Sequence, residues 1–198
     1  MLEIIGVIIK NVLTALYQPF WFAVILAVLF MFLFIYAKEH GWKESFKIWF
    51  QNFKSDKSFR KMLFLAFYIA MILFRTLLSR SMWENPLSDV IGVWGLHNSN
   101  GELTTEVIEN LALFIPFTFL LMWCVEDNIG KKYKLLNILW KSTAITFLFS
   151  LAIELLQLFL RLGTFQLSDL FYNTLGGAVG GFIFWVVCII AHRSNKKD

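Results

Sequence analysis

Several residues able to do acid–base, ion-pairing or hydrogen-bonding chemistry stand inside the apolar stretches of this chain. They are Arg75, Glu109, Asn110, Glu154, Gln157 and Asn173, with Arg80, Arg161 and Asp169 at the margins. Polar groups at membrane depth are costly, so they face a bundle interior or a wet cavity and mark a site by default. All fall toward the same end of their stretches, the end away from the basic loops. Glu109, Glu154 and Asp169 are the candidate general acids or bases, and the only candidates, weak ones, for holding a divalent cation through carboxylate oxygen. The guanidinium groups of Arg75, Arg80 and Arg161 match phosphate or carboxylate bidentately. With Glu109, Asn110, Glu154, Gln157, Asp169 and Asn173 they form the candidate ligand-binding set. A plainer alternative stays open: Glu154 or Glu109 could pair with Arg75 or Arg161 merely to stitch helices together.

Spacing places these groups on helices. Ser150, Glu154, Gln157 and Arg161 are separated by four, three and four residues and form one helical stripe. Ser168 reads as an N-cap, and Asp169 then sits in a first turn, where the helix dipole favours an acid. Asn173, Gly176 and Gly180 follow on the same face. Gly176 with Gly180, and Gly177 with Gly181, are two small-xxx-small pairs that allow another helix close approach, so this helix is expected to pack centrally. Glu109 and Asn110 open another helix, in which Pro116 removes a hydrogen bond and predicts a kink. Arg75 lies about one turn from the end of its own helix.

The chain of 198 residues is 58% hydrophobic and only 16% charged, too little polar surface to cover a soluble core. Apolar runs of about 20 residues suffice to cross a bilayer. We read spans at Pro19–Tyr36, Met62–Leu78, Thr105–Val125, Ile138–Leu160 and Leu170–Ala191. The class is all-α: a polytopic transmembrane bundle of about five spans with amphipathic interfacial helices. Residues 1–61 hold an N-terminal interfacial helix, the first span and a basic amphipathic segment. Residues 62–191 form a four-helix membrane domain, and residues 192–198 a basic tail. Lys38–Lys61 and Lys131–Lys141 are rich in lysine, whereas Ser81–Thr104 has neither Lys nor Arg. The positive-inside rule then places the N-terminus outside and the tail in the cytoplasm. Between Gly41 and Lys61, Trp42, Phe46, Trp49, Phe50 and Phe53 interleave with lysines, a pattern that suits a helix on an anionic leaflet.

The net charge of +4 is explained by those loops, so no nucleic-acid partner is expected. Cys124 and Cys188 lack metal-ligand spacing and read as small buried hydrophobes. No removable signal peptide is evident. His97 is a lone loop residue, no Ser–His or Cys–His constellation exists, and nothing calls for a cofactor.

Glu109-Asn110 through Phe114-Ile115-Pro116 resembles the asparagine–phenylalanine–proline motif of the VanZ-like membrane proteins. Ser150 through Glu154 and Gln157 resembles the family's Glu-x-x-Gln helix, and Arg161 stands where the family usually has an arginine. Asp169 through Asn173, Gly176, Gly177 and Gly180 completes the order. The resemblance covers about Met62–Val187. The chain departs from it at Phe117-Thr118, where glycine is common after the proline. It also carries a single acid, Asp169, where the family often carries two.

The resemblance implies an envelope protein, of a family whose founding member lowers susceptibility to the lipid-tailed glycopeptide teicoplanin without remodelling the peptidoglycan precursor. The expected role is binding of an amphiphile, a lipoglycopeptide or a lipid-linked cell-wall intermediate, by a polar pocket in the outer leaflet. An intramembrane enzyme acting on a lipid-linked phosphate or sugar is the alternative, and a lipid or drug transporter a further one, with Pro116 breaking the helix. Membrane lipids are expected partners, and a homo-oligomer is compatible with the chain.

Overall fold

The computed structural model describes residues 25–26, 29, 31–78, 84–97, 100–125 and 134–194, with side chains to 191. The expected N-terminal interfacial helix, most of the first span, Arg80, Lys131 and Lys132 and the end of the basic tail lie outside the described residues.

Residues 31–40 are helical. They stop at Gly41, whose φ of 81° is open to glycine and costly for other residues. Helix α1, Trp42–Ser55, follows as the sequence pattern predicts. At Asp56 the backbone is extended, and the carboxylate caps α2, Lys57–Leu73, by accepting from Ser58 N–H at 2.8 Å. Arg60 closes the same corner from the other side: its guanidinium donates to the carbonyls of Phe53 and Lys54, both at 2.8 Å, at the end of α1. Beyond α2 the chain widens into a π-helical turn, Phe74–Leu78.

Helices α3, Glu106–Cys124, α4, Leu135–Leu160, and α5, Leu167–Ser194, complete the bundle. At about 1.5 Å per residue each can cross an apolar core of about 30 Å. Four helices among the described residues are long and apolar enough to span a membrane: Lys57–Leu78, Glu106–Cys124, Leu135–Leu160 and Leu167–Ala191. Their bounds lie within five residues of those expected. Large apolar side chains such as Phe67, Trp140, Leu148 and Phe159 point outward. A surface of that kind belongs in lipid.

Helix α5 packs along both α3 and α4, while α2 packs on α3. The glycine pairs explain the central position. A Cβ on Gly176 or Gly180 would stand 2.2 and 2.3 Å from the backbone carbonyls of Leu111 and Ile115 in α3. One on Gly177 or Gly181 would stand 2.2 Å from Thr146 Oγ1 or Ser142 Oγ in α4. Each pair therefore serves a different neighbour. Phe114, Phe117, Ile72 and Ile153 fill one part of the core, and Met122, Ile138, Phe184 and Cys188 another. Pro116 lies inside α3, and Tyr68 of α2 donates its hydroxyl to the nearby Leu113 carbonyl at 3.0 Å. The carbonyl that Pro116 leaves without a donor is that of Ala112, one residue earlier, so this bond instead joins α2 to α3 beside the proline.

A candidate polar site at one end of the bundle

Antiparallel connection brings the end of α4, the start of α5, the start of α3 and the π-turn to one end of the bundle. Buried groups collect there: Glu154, Gln157, Gln166, Ser168, Asp169 and Asn173. Glu154 and Asp169 are only 2% and 4% exposed.

The local chain path explains their placement. Helix α4 stops at Leu160 because Arg161 takes the left-handed conformation, φ 54° and ψ 39°. Leu162 N–H then donates to Gln157 O at 2.9 Å and Arg161 N–H to Leu158 O at 3.3 Å. These two bonds are a Schellman close, in which glycine usually holds the left-handed position. The short linker returns Gln166 over α4, where its backbone N–H donates to Glu154 Oε2 at 3.0 Å. The first turn of α5 is satisfied by the loop that follows the π-turn. Phe165, Leu167 and Ser168 N–H donate to the carbonyls of Pro86, Val90 and Ile91 at 2.9, 2.8 and 3.3 Å. Gly92, with φ 71°, lets this loop lie directly on Ser168: a Cβ there would be 2.0 Å from Ser168 Oγ. Tyr172 donates its hydroxyl to Trp94 O at 3.0 Å, pinning the loop further along.

Side-chain bonds tie the three motif segments together. Asn110 donates to Asp169 Oδ1 at 2.6 Å, Asn173 to Ser150 Oγ at 2.9 Å, and Gln157 Nε2 to Thr76 O in the π-turn at 2.8 Å. Gln166 Nε2 donates to Asp89 Oδ2 at 3.2 Å. Yet Gln157 Oε1, Gln166 Oε1, Asn173 Oδ1 and Ser168 Oγ are buried with no hydrogen-bond partner. The first two assignments are firm, because a carbonyl and a carboxylate can only accept and so fix which amide atom faces them. Unmet buried groups of this kind, three amide oxygens that accept and a hydroxyl that can also donate, are ordinarily met by water or a ligand.

The structure divides the expected set of residues. Asn110, Glu154, Gln157, Asp169 and Asn173 converge. Arg75 and Glu109 do not join them: they pair with each other, with side chains 59% and 45% exposed, and Glu109 also accepts from Thr105 Oγ1 at 2.6 Å. The pair joins the π-turn to α3. Arg161 leaves the expected stripe because its left-handed backbone turns it outward, where it is exposed. Ser168 is not an N-cap: the helix begins one residue earlier and its hydroxyl is one of the unpartnered atoms. Among the described residues no three His, Cys, Asp or Glu side chains group closely enough to hold a metal ion. His97 is exposed and forms an isolated antiparallel bridge with Leu103. Gln166, Thr76 and Gly92 escaped the sequence reading. Thr76, and Gln166 toward Glu154, act through backbone atoms, which residue type does not reveal, while a lone loop glycine such as Gly92 gives little signal.

No curated protein and no solved structure matches the chain. One family model does, over residues 20–189, and so takes in the first span and the basic segment that the motif resemblance left out. The residues of all three motif segments, held together at one end of a helical membrane bundle, are thus accounted for: the chain is a multi-pass membrane protein of the VanZ/LLP1 family.

Proposed function

We propose that the polar end of the bundle faces the outside of the cell and binds the headgroup of an amphiphilic envelope ligand without turning it over. Its effect is lowered susceptibility to lipid-tailed glycopeptides such as teicoplanin. The observation that carries this reading is the set of buried, unpartnered amide oxygens of Gln157, Gln166 and Asn173, with the Ser168 hydroxyl, beside two buried carboxylates. Acceptors in excess call for donors, which the hydroxyls and amines of a sugar or amino headgroup provide. Arg161, turned to the rim, suits a phosphate or carboxylate on the same ligand. The tail of the ligand runs down the apolar outer face. The orientation follows from the positive-inside rule: Lys38, Lys43 and Lys47 precede α2 at the other end. Transport is the weaker reading, because the buried hydroxyls of Thr118, Thr146 and Ser142 farther along the bundle already have partners, leaving little for a second access position.

Growth inhibition by teicoplanin and vancomycin tests this in a susceptible Gram-positive host carrying wild type or Glu154→Gln at matched membrane levels. Glutamine keeps an oxygen for Gln166 N–H, so the variant should accumulate. The expected result is protection selective for teicoplanin in wild type and lost in the variant. Absence of protection by wild type, or full protection by the variant, overturns the assignment.

A further inference from the structure

The loop 84–97, which lies over the start of α5, turns backbone toward that helix and leaves large apolar side chains outside. Leu87, Ile91 and Trp94 are each at least half exposed. They continue a surface that already belongs to the bilayer. The Trp94 ring lies 5.4 Å from Phe171, centre to centre, and its indole N–H donates to Ile91 O at 3.0 Å. Phe171 stands in an exposed row on α5, Leu167, Phe171 and Leu175, spaced by four residues at the beginning of a helix long and apolar enough to span. Loop and helix thus share one apolar face. Exposed faces of this kind mark a membrane or a partner.

We propose that this loop is a membrane-docking element, seated by Leu87, Ile91 and Trp94 at the boundary between headgroups and acyl chains of the leaflet at this end of the bundle. Continuity with the lipid-facing row of α5 identifies lipid as the occupant. Trp94 has the amphipathic ring that collects at that depth. The loop carries no Lys or Arg, so apolar contact rather than attraction to phosphate must hold it. Irregular backbone near hydrocarbon needs its polar groups satisfied from within the protein. The carbonyls of Pro86, Val90 and Ile91 accept from the start of α5, and Trp94 O accepts from Tyr172. Leu87 N–H donates to Asn85 Oδ1 at 3.3 Å, and Ser88 N–H to Asn85 O at 3.2 Å. Asp89, the acid between the apolar positions, accepts from Gly92 N–H and Gln166 Nε2, both at 3.2 Å. This docking does not depend on the function proposed for the polar end.

The test places a nitroxide spin label on the full chain in phosphatidylcholine vesicles, at Leu87→Cys or Ile91→Cys in a Cys124→Ala, Cys188→Ala background. Collision with oxygen, which concentrates in lipid, is compared with collision with a water-soluble nickel chelate. Leu148→Cys, exposed midway along α4, sets the lipid value, and Asn100→Cys, exposed farther along the same connection, sets the aqueous one. The oxygen-to-nickel ratio at positions 87 and 91 is expected to exceed that at 100 by about threefold and to stay below that at 148, as suits a depth of about 5–10 Å. A ratio equal to that at 100 puts the loop in water and overturns the proposal. Low collision with both reagents means that protein covers the face, and overturns lipid in favour of a second copy of the chain. Wild type supplies a check free of substitutions: a lipid with a photoactivatable group near the head of its acyl chain should leave adducts within 87–94. Adducts confined to the spans overturn the docking.

Discussion

Two stretches of the helix interfaces within the bundle are both buried and both polar, yet they are built differently. Toward the middle of the bundle, Thr118 and Thr146 share a hydrogen bond of 2.9 Å, Thr118 also bonds back to Phe114 O, and Ser142 to Leu139 O. Each hydroxyl is small, neutral and provided for. Toward the end, acids and amides predominate, and three amide oxygens and the Ser168 hydroxyl are unmatched. The difference teaches that burial of polar groups alone does not mark a site. Surplus hydrogen-bonding capacity does, because a packing seam has no reason to carry it.

The contrast can be broken most forcefully at the glycines. Gly176→Ala drives a methyl into the Leu111 backbone, which cannot rotate away, and should cost about 3 kcal/mol or prevent accumulation. Gly181→Ala meets the Ser142 side chain, Oγ at 2.2 Å and Cβ at 2.7 Å, where the hydroxyl can turn but Cβ must shift, and should cost less, about 2 kcal/mol. Thermal unfolding in detergent ranks them, and equal losses would erase the distinction between a backbone-tight and a side-chain-tight contact. Next in size, Gln157→Leu removes the bond to Thr76 O together with one unmatched oxygen. Because those two effects oppose, stability should change by about 1 kcal/mol or less while teicoplanin protection disappears. In the hydroxyl seam the pattern reverses. Thr118→Val or Thr146→Val alone should cost about 1 kcal/mol, the double change less than their sum, and protection should persist. Protection lost through the threonines would join the two stretches into one site and defeat the comparison.

Much of this was legible in the sequence for definite reasons. Span lengths follow from apolar runs, and the central place of α5 follows from paired glycines at four-residue spacing. The convergence of Asn110, Glu154, Gln157, Asp169 and Asn173 follows from the shared end of their spans. What was misread depended on backbone geometry. A stripe through Ser150, Glu154, Gln157 and Arg161 assumes that the helix continues, whereas a left-handed residue ends it one step short. Arg75 and Glu109 share the level of the buried groups but face outward, and depth along a helix carries no information about its rotation. The linker contact of Gln166 and the lid-like loop over Ser168 are made by backbone atoms that every residue type shares.

Arg161 gives the smallest and most discriminating change. An arginine in the left-handed conformation costs about 1 kcal/mol relative to glycine, the usual occupant of a Schellman close. Arg161→Gly should therefore raise stability, by roughly 0.5–1 kcal/mol, as a rise in the unfolding midpoint. A side chain kept at that cost, exposed at the rim of the polar end, has a reason to be there if it meets the ligand. Stabilisation accompanied by a fall in protection would place the guanidinium in recognition. Stabilisation with protection intact would reduce Arg161 to a poor helix stop and confine recognition to the buried amides and acids.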